Sequence, residues 1–455
     1  MKKSKSRILL VVLHEYIKRD LVDTGVIAHL ATKFDLQLLL QEHIDPEPLL
    51  EFGPIHFVGK PPKWPHLVWN NTRVLKSMMR WEPIFGKLGR AFHNRRKNNN
   101  YRGLLKYVDS LHRAGLGSLV AWFGTIYMRY SMPKDLLAGQ QYDAVLIPTV
   151  MRDYWADMMV RWCRVNETPS VFMQVNVDTL NYKTPIEKPD YLALWGEQSW
   201  YIARLVYWFR GAQLRIIGSP RFEIYHSKAI DSKQARRDLD LPLDRRIIML
   251  CGGDATFDNI RALKLFESAM TDGRISKDLM VLYKPHPRAE VLSEFGHGLY
   301  RQDELPNTRL YSSPYKEKWP PLEEYPRLFA AVDAVITPFS TMGLEAALNG
   351  LPVMCVGYHA EQSAFWEFAH YIHNKFYFHT SWAVICDAED MFISSLVRLG
   401  DMCGDEWIAA QAKGSALNIA YHDRTPYEAR LESMLTEVIV EWSGSGVELK
   451  QHGIG

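Results

Sequence analysis

No C-x-x-C pair occurs among the five cysteines, which stand scattered at positions 163, 251, 355, 386 and 403. An odd, unclustered set argues against a disulfide framework or a zinc site and fits a reducing compartment. No run reaches the roughly 18 uncharged apolar residues of a membrane-spanning helix. The start, Met1-Lys-Lys-Ser-Lys-Ser-Arg7, has the charge of a signal n-region, but its apolar run Ile8–Leu13 meets His14 and Glu15 too soon to form an h-region. Charge of one sign is lacking too: Lys+Arg 54 against Asp+Glu 52 leaves +2, so the chain as a whole is not a polyanion binder. No self-similarity at a solenoid period is present, which excludes a stacked-repeat fold. These absences leave a cytosolic protein, soluble or held at a surface. What is there is a globular composition, 47% hydrophobic and 23% charged, in 455 residues, enough for two large domains or three smaller ones.

Short apolar runs alternate with amphipathic stretches along the whole chain. In the first half, strands are expected at Ile8–Leu13, Leu36–Leu40, Ile55–Val58, Ala144–Ile147, Ser170–Gln174, Tyr191–Leu194 and Arg215–Ile217. A polar loop follows the first strand, and helices fall near Val26–Lys33, Tyr154–Arg164 and Trp200–Phe209. The second half repeats the grammar, with strands at Arg246–Cys251, Met280–Tyr283, Arg309–Tyr311, Ala334–Ile336 and Val353–Val356. Its helices are expected near Asn259–Ala269, Tyr325–Ala331, Met342–Leu348 and Met391–Leu399. Strands of this kind, buried on both faces and separated by helices, form parallel sheets. The fold class is α/β, two Rossmann-like domains facing across a cleft, with ligands at the carboxyl ends of the strands. The first spans residues 1–230 and the second 246–455, the charged run Asp231–Arg246 serving as linker and the last helices packing back on the first domain.

An insertion of helical character, residues 60–141, separates the third and fourth strands. Its stretch Arg73–Arg113 holds eleven Lys and Arg against Glu82 and Asp109. Beside it, Leu116–Met132 is amphipathic and aromatic, with Trp122, Phe123, Tyr127 and Tyr130. Two readings fit: a solvated basic helix packing its apolar stripe on the core, or contact with anionic lipid headgroups or an anionic acceptor. No nucleic-acid-binding motif accompanies the charge.

Two segments of the second half have the makings of a site. Val281-Leu-Tyr-Lys-Pro-His-Pro-Arg288 runs a strand into a histidine bracketed by prolines, which fix the chain where Lys284, His286 and Arg288 can all donate to phosphate oxygens. Val335-Ile-Thr-Pro-Phe-Ser-Thr-Met342 leads a strand into a helix through Ser340 and Thr341. A helix start there is an ordinary N-cap on its own; paired with the Lys-Pro-His-Pro-Arg segment it becomes an anion site, because unpaired backbone N–H groups favour phosphate. Glu345, one turn beyond Thr341, could accept from ribose hydroxyls. Gly252 and Gly253, after the strand Arg246–Cys251, would let a ligand approach the backbone closely. Ser312, in the loop after the Arg309–Tyr311 strand, stands where a nucleobase could lie.

With Ile217-Gly-Ser-Pro-Arg-Phe222, Lys-Pro-His-Pro-Arg and Ser-Thr-x-x-x-Glu-Ala, the chain resembles bacterial GT-B glycosyltransferases of surface polysaccharide synthesis, of the sialyl and Kdo-type capsule kind. The likeness runs from about Tyr191 to Val356. It implies a second domain that binds a nucleotide-sugar, CMP-sugar ahead of UDP-sugar, and a first domain that binds a glycan or lipid-linked acceptor. His286 would contact the nucleotide phosphate or assist the leaving group, Ser340 and Thr341 would hold the phosphate, and Glu345 the ribose. The reaction would be metal-independent, without a cofactor, and inverting, or retaining if the first domain supplies no base; the protein would be cytoplasmic, the basic insertion holding it to the membrane face. No Asp-x-Asp triplet sits at a strand end, so the departing phosphate must be stabilised by His, Lys and backbone amides.

An inverting transfer needs a base from the first domain. His14, Glu15, Asp20, Asp23, Asp153 and Asp178 are the candidates near strand ends, with Asp153 and Glu15 ranked first. Three other readings fit the same features: a glycerophosphotransferase using CDP-glycerol, a nucleotide-sugar 2-epimerase, and a non-catalytic glycan assembly protein that keeps the phosphate-binding shell.

Overall fold

The computed structural model describes residues 5–85, 110–112, 114–133, 135–180, 184–227, 230–253, 258–286, 303–313, 319–359, 362–363 and 380–445. The chain divides into two units. Unit 1 runs to Arg221 and takes the chain back from Tyr421, while unit 2 is Phe222–Ala420.

Unit 1 is a seven-stranded sheet of β1 (Arg7–Val12), β2 (Asp35–Gln41), β3 (Ile55–Val58), β4 (Ala144–Thr149), β5 (Ser170–Gln174), β6 (Tyr191–Leu194) and β7 (Leu214–Ile216). Every pair is parallel, in the order β3-β2-β1-β4-β5-β6-β7. β1 lies between β2 and β4, with Ile8 opposite both Leu36 and Ala144, so its residues Ile8–Val12 are buried on both faces. That is why the run shows no polar alternation. The order reverses between β1 and β4, which opens a crevice at their carboxyl ends.

The helix Glu15–Asp23 stands where a polar loop was expected. Its charged sequence hides an amphipathic pattern: Ile17 and Leu21, one turn apart, are buried, and Lys18 pairs with Glu15 on the outer side. The returning helix Tyr427–Ser445 packs Tyr427, Leu431, Met434, Leu435 and Val438 into the same core as Ile8, Leu38 and Ile27. Glu432 accepts from His29 at 2.8 Å and Arg430 Nε donates to the Ile217 carbonyl at 2.9 Å, tying that helix to the unit.

Unit 2 contains β8 (Arg246–Cys251), β9 (Leu279–Lys284), β10 (Thr308–Leu310), β11 (Ala334–Pro338) and β12 (Val353–Val356), then the two-residue strands β13 (Tyr358–His359) and β14 (Gln362–Ser363), and β15 (Ala383–Cys386). Its main sheet is parallel in the order β10-β9-β8-β11-β12-β15, so the reversal recurs between β8 and β11. The run Asp231–Arg246 is part of this unit rather than a linker. Asp231 caps a helix, Ser232–Asp238, by accepting from Gln234 N. Arg236 is buried there because its guanidinium reaches the Ala331 and Arg245 carbonyls and the Asp333 carboxylate. Charge in the sequence marked a satisfied interior group, not a solvated connector.

Candidate functional site

Both crevices gather chemistry, by different means. In unit 1, β1 leads through Leu13 to His14, the N-cap of the helix Glu15–Asp23, and β4 leads through Thr149 to Asp153 at the start of the helix Tyr154–Val165. His14 Nε2 meets Asp153 Oδ1 at 2.7 Å across the reversal point. A carboxylate only accepts, so Nε2 carries the proton, and in the neutral ring the lone pair sits on Nδ1. The Thr149 hydroxyl donates to Asp153 Oδ2 at 2.7 Å while accepting from Met151 N at 2.9 Å. Met151 holds φ 56, a left-handed conformation that costs a residue with a Cβ free energy, so the β4 turn is held by its contacts. Burial opposes ionisation of Asp153. The His14 hydrogen bond and charge, the Thr149 hydroxyl and the Val150 N–H outweigh it and hold the carboxyl below its ordinary range. The His14 side chain stays 32% exposed and stacks on Tyr16 at 5.3 Å, so the ring is both fixed and reachable.

The other candidates of this half lie elsewhere. Glu15 pairs with Lys18 at 2.7 Å and accepts from Asp45 N at 3.1 Å, which makes it a brace for the loop after β2. Asp20 is buried against Arg19, their side chains 2.9 Å apart at Nε.

In unit 2 the crevice is built mainly from backbone. Gly252 N donates to the Lys284 carbonyl at 2.7 Å, extending the β8–β9 pairing past Cys251 and Lys284. A Cβ on Gly252 would stand 2.8 Å from His286 N and 3.2 Å from Pro285 Cα. What comes close to the Cβ position of this glycine is the Lys-Pro-His backbone. Gly253 N donates to Asn259 Oδ1 at 3.0 Å, which joins the loop to the helix Asn259–Thr271. On the other side of β8, Ser340 is the N-cap residue of the helix Thr341–Leu348, and its hydroxyl meets Thr337 Oγ1 at 2.8 Å. The first N–H groups of that helix open on the reversal point, and Ser340 and Thr341 are both partly exposed there.

Two predicted contact residues lie beneath this surface. Lys284 is buried, its ammonium 5.4 Å over the Tyr325 ring. Glu345 is fully buried, and its carboxylate accepts from the Tyr225 hydroxyl. Cys251 lies between them: burial pushes its thiol up to about 12, Lys284 pulling it down and Glu345 pushing it further up. Ser312 is exposed just past β10, after Tyr311 N donates to the Tyr283 carbonyl at 2.7 Å. Arg288 lies outside the described residues. Tyr225, Tyr325, Asn259 and Thr337 were not legible as site residues. Thr337 lies within the second segment and Asn259 follows the glycine pair, so both could have been weighed, but no local pattern points at Tyr225, 120 positions from its partner.

No protein-family model matches the chain, and no curated protein matches it. Solved structures do. The glycotransferase of kitacinnamycin is similar with a TM-score of 0.54 at 10% identity, over 96% of this chain and 100% of that one. HepE of Anabaena, in complex with UDP, gives 0.51 at 11% identity, over 95% and 100%. A variant of the wall teichoic acid polymerase TagF, soaked with CDPG, gives 0.51 at 11%, over 96% and 90%. The fold is thus GT-B-like, two Rossmann-like α/β units in one chain.

Proposed function

We propose that the protein is a glycosyltransferase that moves a sugar from a pyrimidine nucleotide-sugar to a hydroxyl of a surface glycan or lipid-linked acceptor. One observation carries the reading. Each unit gathers polar groups at the reversal point of its sheet, the hydrogen-bonded His14–Asp153 pair in unit 1 and the helix start at Ser340 with the Lys284–His286 backbone in unit 2. A GT-B-like fold is a reason to look there, and the residues are the reason to name the reaction.

In this reading the acceptor hydroxyl gives its proton to His14 Nδ1 as its oxygen attacks the anomeric carbon. Asp153 is the positioning group, which fixes the tautomer and stabilises the imidazolium that forms. The bond from the anomeric carbon to the nucleotide phosphate breaks, and its electron pair leaves with the phosphate. His286 and the N–H groups at Ser340 and Thr341 receive that charge, as preorganised donors. Arg288 belongs to the same cradle by sequence. Lys284 and Glu345 support it from below, Glu345 through Tyr225. Attack from the face opposite the leaving group makes the transfer inverting.

One of these neighbours is in complex with UDP and another was soaked with CDPG, which is why pyrimidine donors come first and a CDP-glycerol transfer is the reading to separate from this one. The test is incubation with CMP-, UDP- and GDP-sugars and with CDP-glycerol, alone and with glycan acceptors, followed by assay of nucleotide release. Acceptor-dependent release from one sugar donor supports the proposal. Release from CDP-glycerol replaces the transferred group, and binding without release makes the chain an assembly protein.

A further inference from the structure

The helix Gly117–Tyr130, from the insertion of unit 1, is apolar on every side. Its sequence GSLVAWFGTIYMRY contains one charged residue, Arg129. One face is built for close packing: Ala121, Gly124, Thr125 and Met128 are buried, and Ala121 joins Leu75 of the helix Lys63–Phe85 in a small core. A Cβ on Gly124 would lie 1.9 Å from Thr72 Oγ1, so only glycine allows the two helices to approach this closely. The opposite face holds the large side chains, and they are exposed among the described residues. Leu119 is 51% exposed, Trp122 56%, Phe123 57% and Tyr130 87%, with Leu116 and Tyr127 beside them.

A surface helix of a soluble protein puts its polar residues outward, and one apolar all round is buried in protein or in lipid. At 14 residues this one is about 21 Å long, short of the about 30 Å of a bilayer's hydrocarbon core. Among the described residues no helix is long and apolar enough to cross a membrane. A helix of this length with Trp, Phe and Tyr on its outer face suits the headgroup boundary, where such rings are half dry and half wet. The chain between the two packed helices, residues 86–116, supplies the complementary charge by sequence: eight Lys and Arg against one acid, Asp109, in a protein of net charge +2. Concentrated basic charge tethered to an apolar helix selects an anionic lipid surface over a neutral one.

We infer that the face Leu116, Leu119, Trp122, Phe123, Tyr127 and Tyr130 docks the protein in the plane of an anionic bilayer. This stands independently of the transferase reading, and it would place the enzyme where a lipid-linked acceptor is found. The experiment is co-sedimentation of the full chain with vesicles of phosphatidylcholine, with and without phosphatidylglycerol, at low and high salt. Wild type should partition to the anionic vesicles at least about tenfold better than to the neutral ones and be released by salt. The double variant Trp122→Ser, Phe123→Ser should lose most of that binding. Trp407→Ser, which removes an equally exposed ring from unit 2, should keep it. Circular dichroism melting and nucleotide-induced stabilisation, both unchanged in the double variant, show that fold and donor site survive. Equal binding by wild type and double variant overturns the proposal. So does a wild type that ignores vesicles but sediments as a dimer in analytical ultracentrifugation while the double variant is monomeric, since the face would then belong to a second copy.

Discussion

The two sheets reverse their strand order in the same place and furnish it differently. In unit 1 the crevice between β1 and β4 holds two side chains, His14 and Asp153, 2.7 Å apart and 139 positions apart in sequence. In unit 2 the crevice between β8 and β11 is lined by backbone: the Lys284–His286 chain crossing over Gly252, and the open end of the helix behind Ser340. A side-chain pair can change its protonation state, whereas backbone amides can only donate. One crevice is thus suited to moving a proton and the other to holding a charge that has just formed. In the proposed reading, a single doubly wound plan yields both halves of a group transfer by changing what is placed at the strand ends.

The largest expected effect comes from separating those roles. His14→Ala should lower acceptor-dependent turnover about a hundred- to ten-thousand-fold and leave nucleotide-induced stabilisation as in wild type. Steady-state kinetics beside a melting assay checks both, and equal loss of both would merge the two crevices into one role. Gly252→Ala should remove both. With a Cβ at 2.8 Å from His286 N, the backbone must shift, so nucleotide stabilisation is lost along with turnover while the His14–Asp153 pair stays intact. Isothermal titration with the preferred nucleotide reads this, and undiminished affinity would show that the Lys-Pro-His backbone does not shape the cradle.

How much of this the sequence carried depends on the distance over which each feature is decided. Strands such as Ile8–Val12 and Arg246–Cys251 are legible because burial on both faces makes them apolar without interruption. The Ser340–Thr341 helix start and the proline-bracketed His286 are legible because turn chemistry is local. The helix Glu15–Asp23 was hidden by its charges, of which Glu15 and Lys18 pair with each other. Asp231–Arg246 looked like a linker because nothing local shows that Arg236 has three partners waiting in the fold. The same holds for the catalytic reading. Asp153 and His14 were each visible as candidates, but only tertiary structure joins them, and only it turns Glu345 from a ribose contact into the partner of Tyr225.

Smaller effects sharpen the contrast. Tyr225→Phe removes a hydroxyl from a buried carboxylate and should cost about 2 kcal/mol of stability, measured by urea unfolding, with unit 1 chemistry unaffected. A further effect is a slope with pH. Asp157, one turn beyond Asp153, is buried and accepts from Trp69 Nε1 at 2.6 Å and from Ile186 N at 3.1 Å. Burial pushes its carboxyl from 3.8 up to about 7, against those hydrogen bonds. Between these values the native state keeps a proton that the unfolded chain has lost, so stability falls as pH rises through that window and levels off above it. Asp153 acts the other way. Its carboxyl is depressed, so its contribution is present above the ordinary value and lost as pH falls through the folded one. Urea melts at stepped pH should show the neutral-side slope flattened in Asp157→Asn and retained in Asp153→Asn.

The most direct test of the two-crevice account is thermal stabilisation by CMP, UDP, CDP and GDP, on wild type, His286→Ala and His14→Ala. Binding to the native state raises the melting temperature by mass action. The account predicts one preferred pyrimidine nucleotide, a shift that shrinks in His286→Ala and a shift that is unchanged in His14→Ala. No stabilisation of the wild type by any of the four would contradict it.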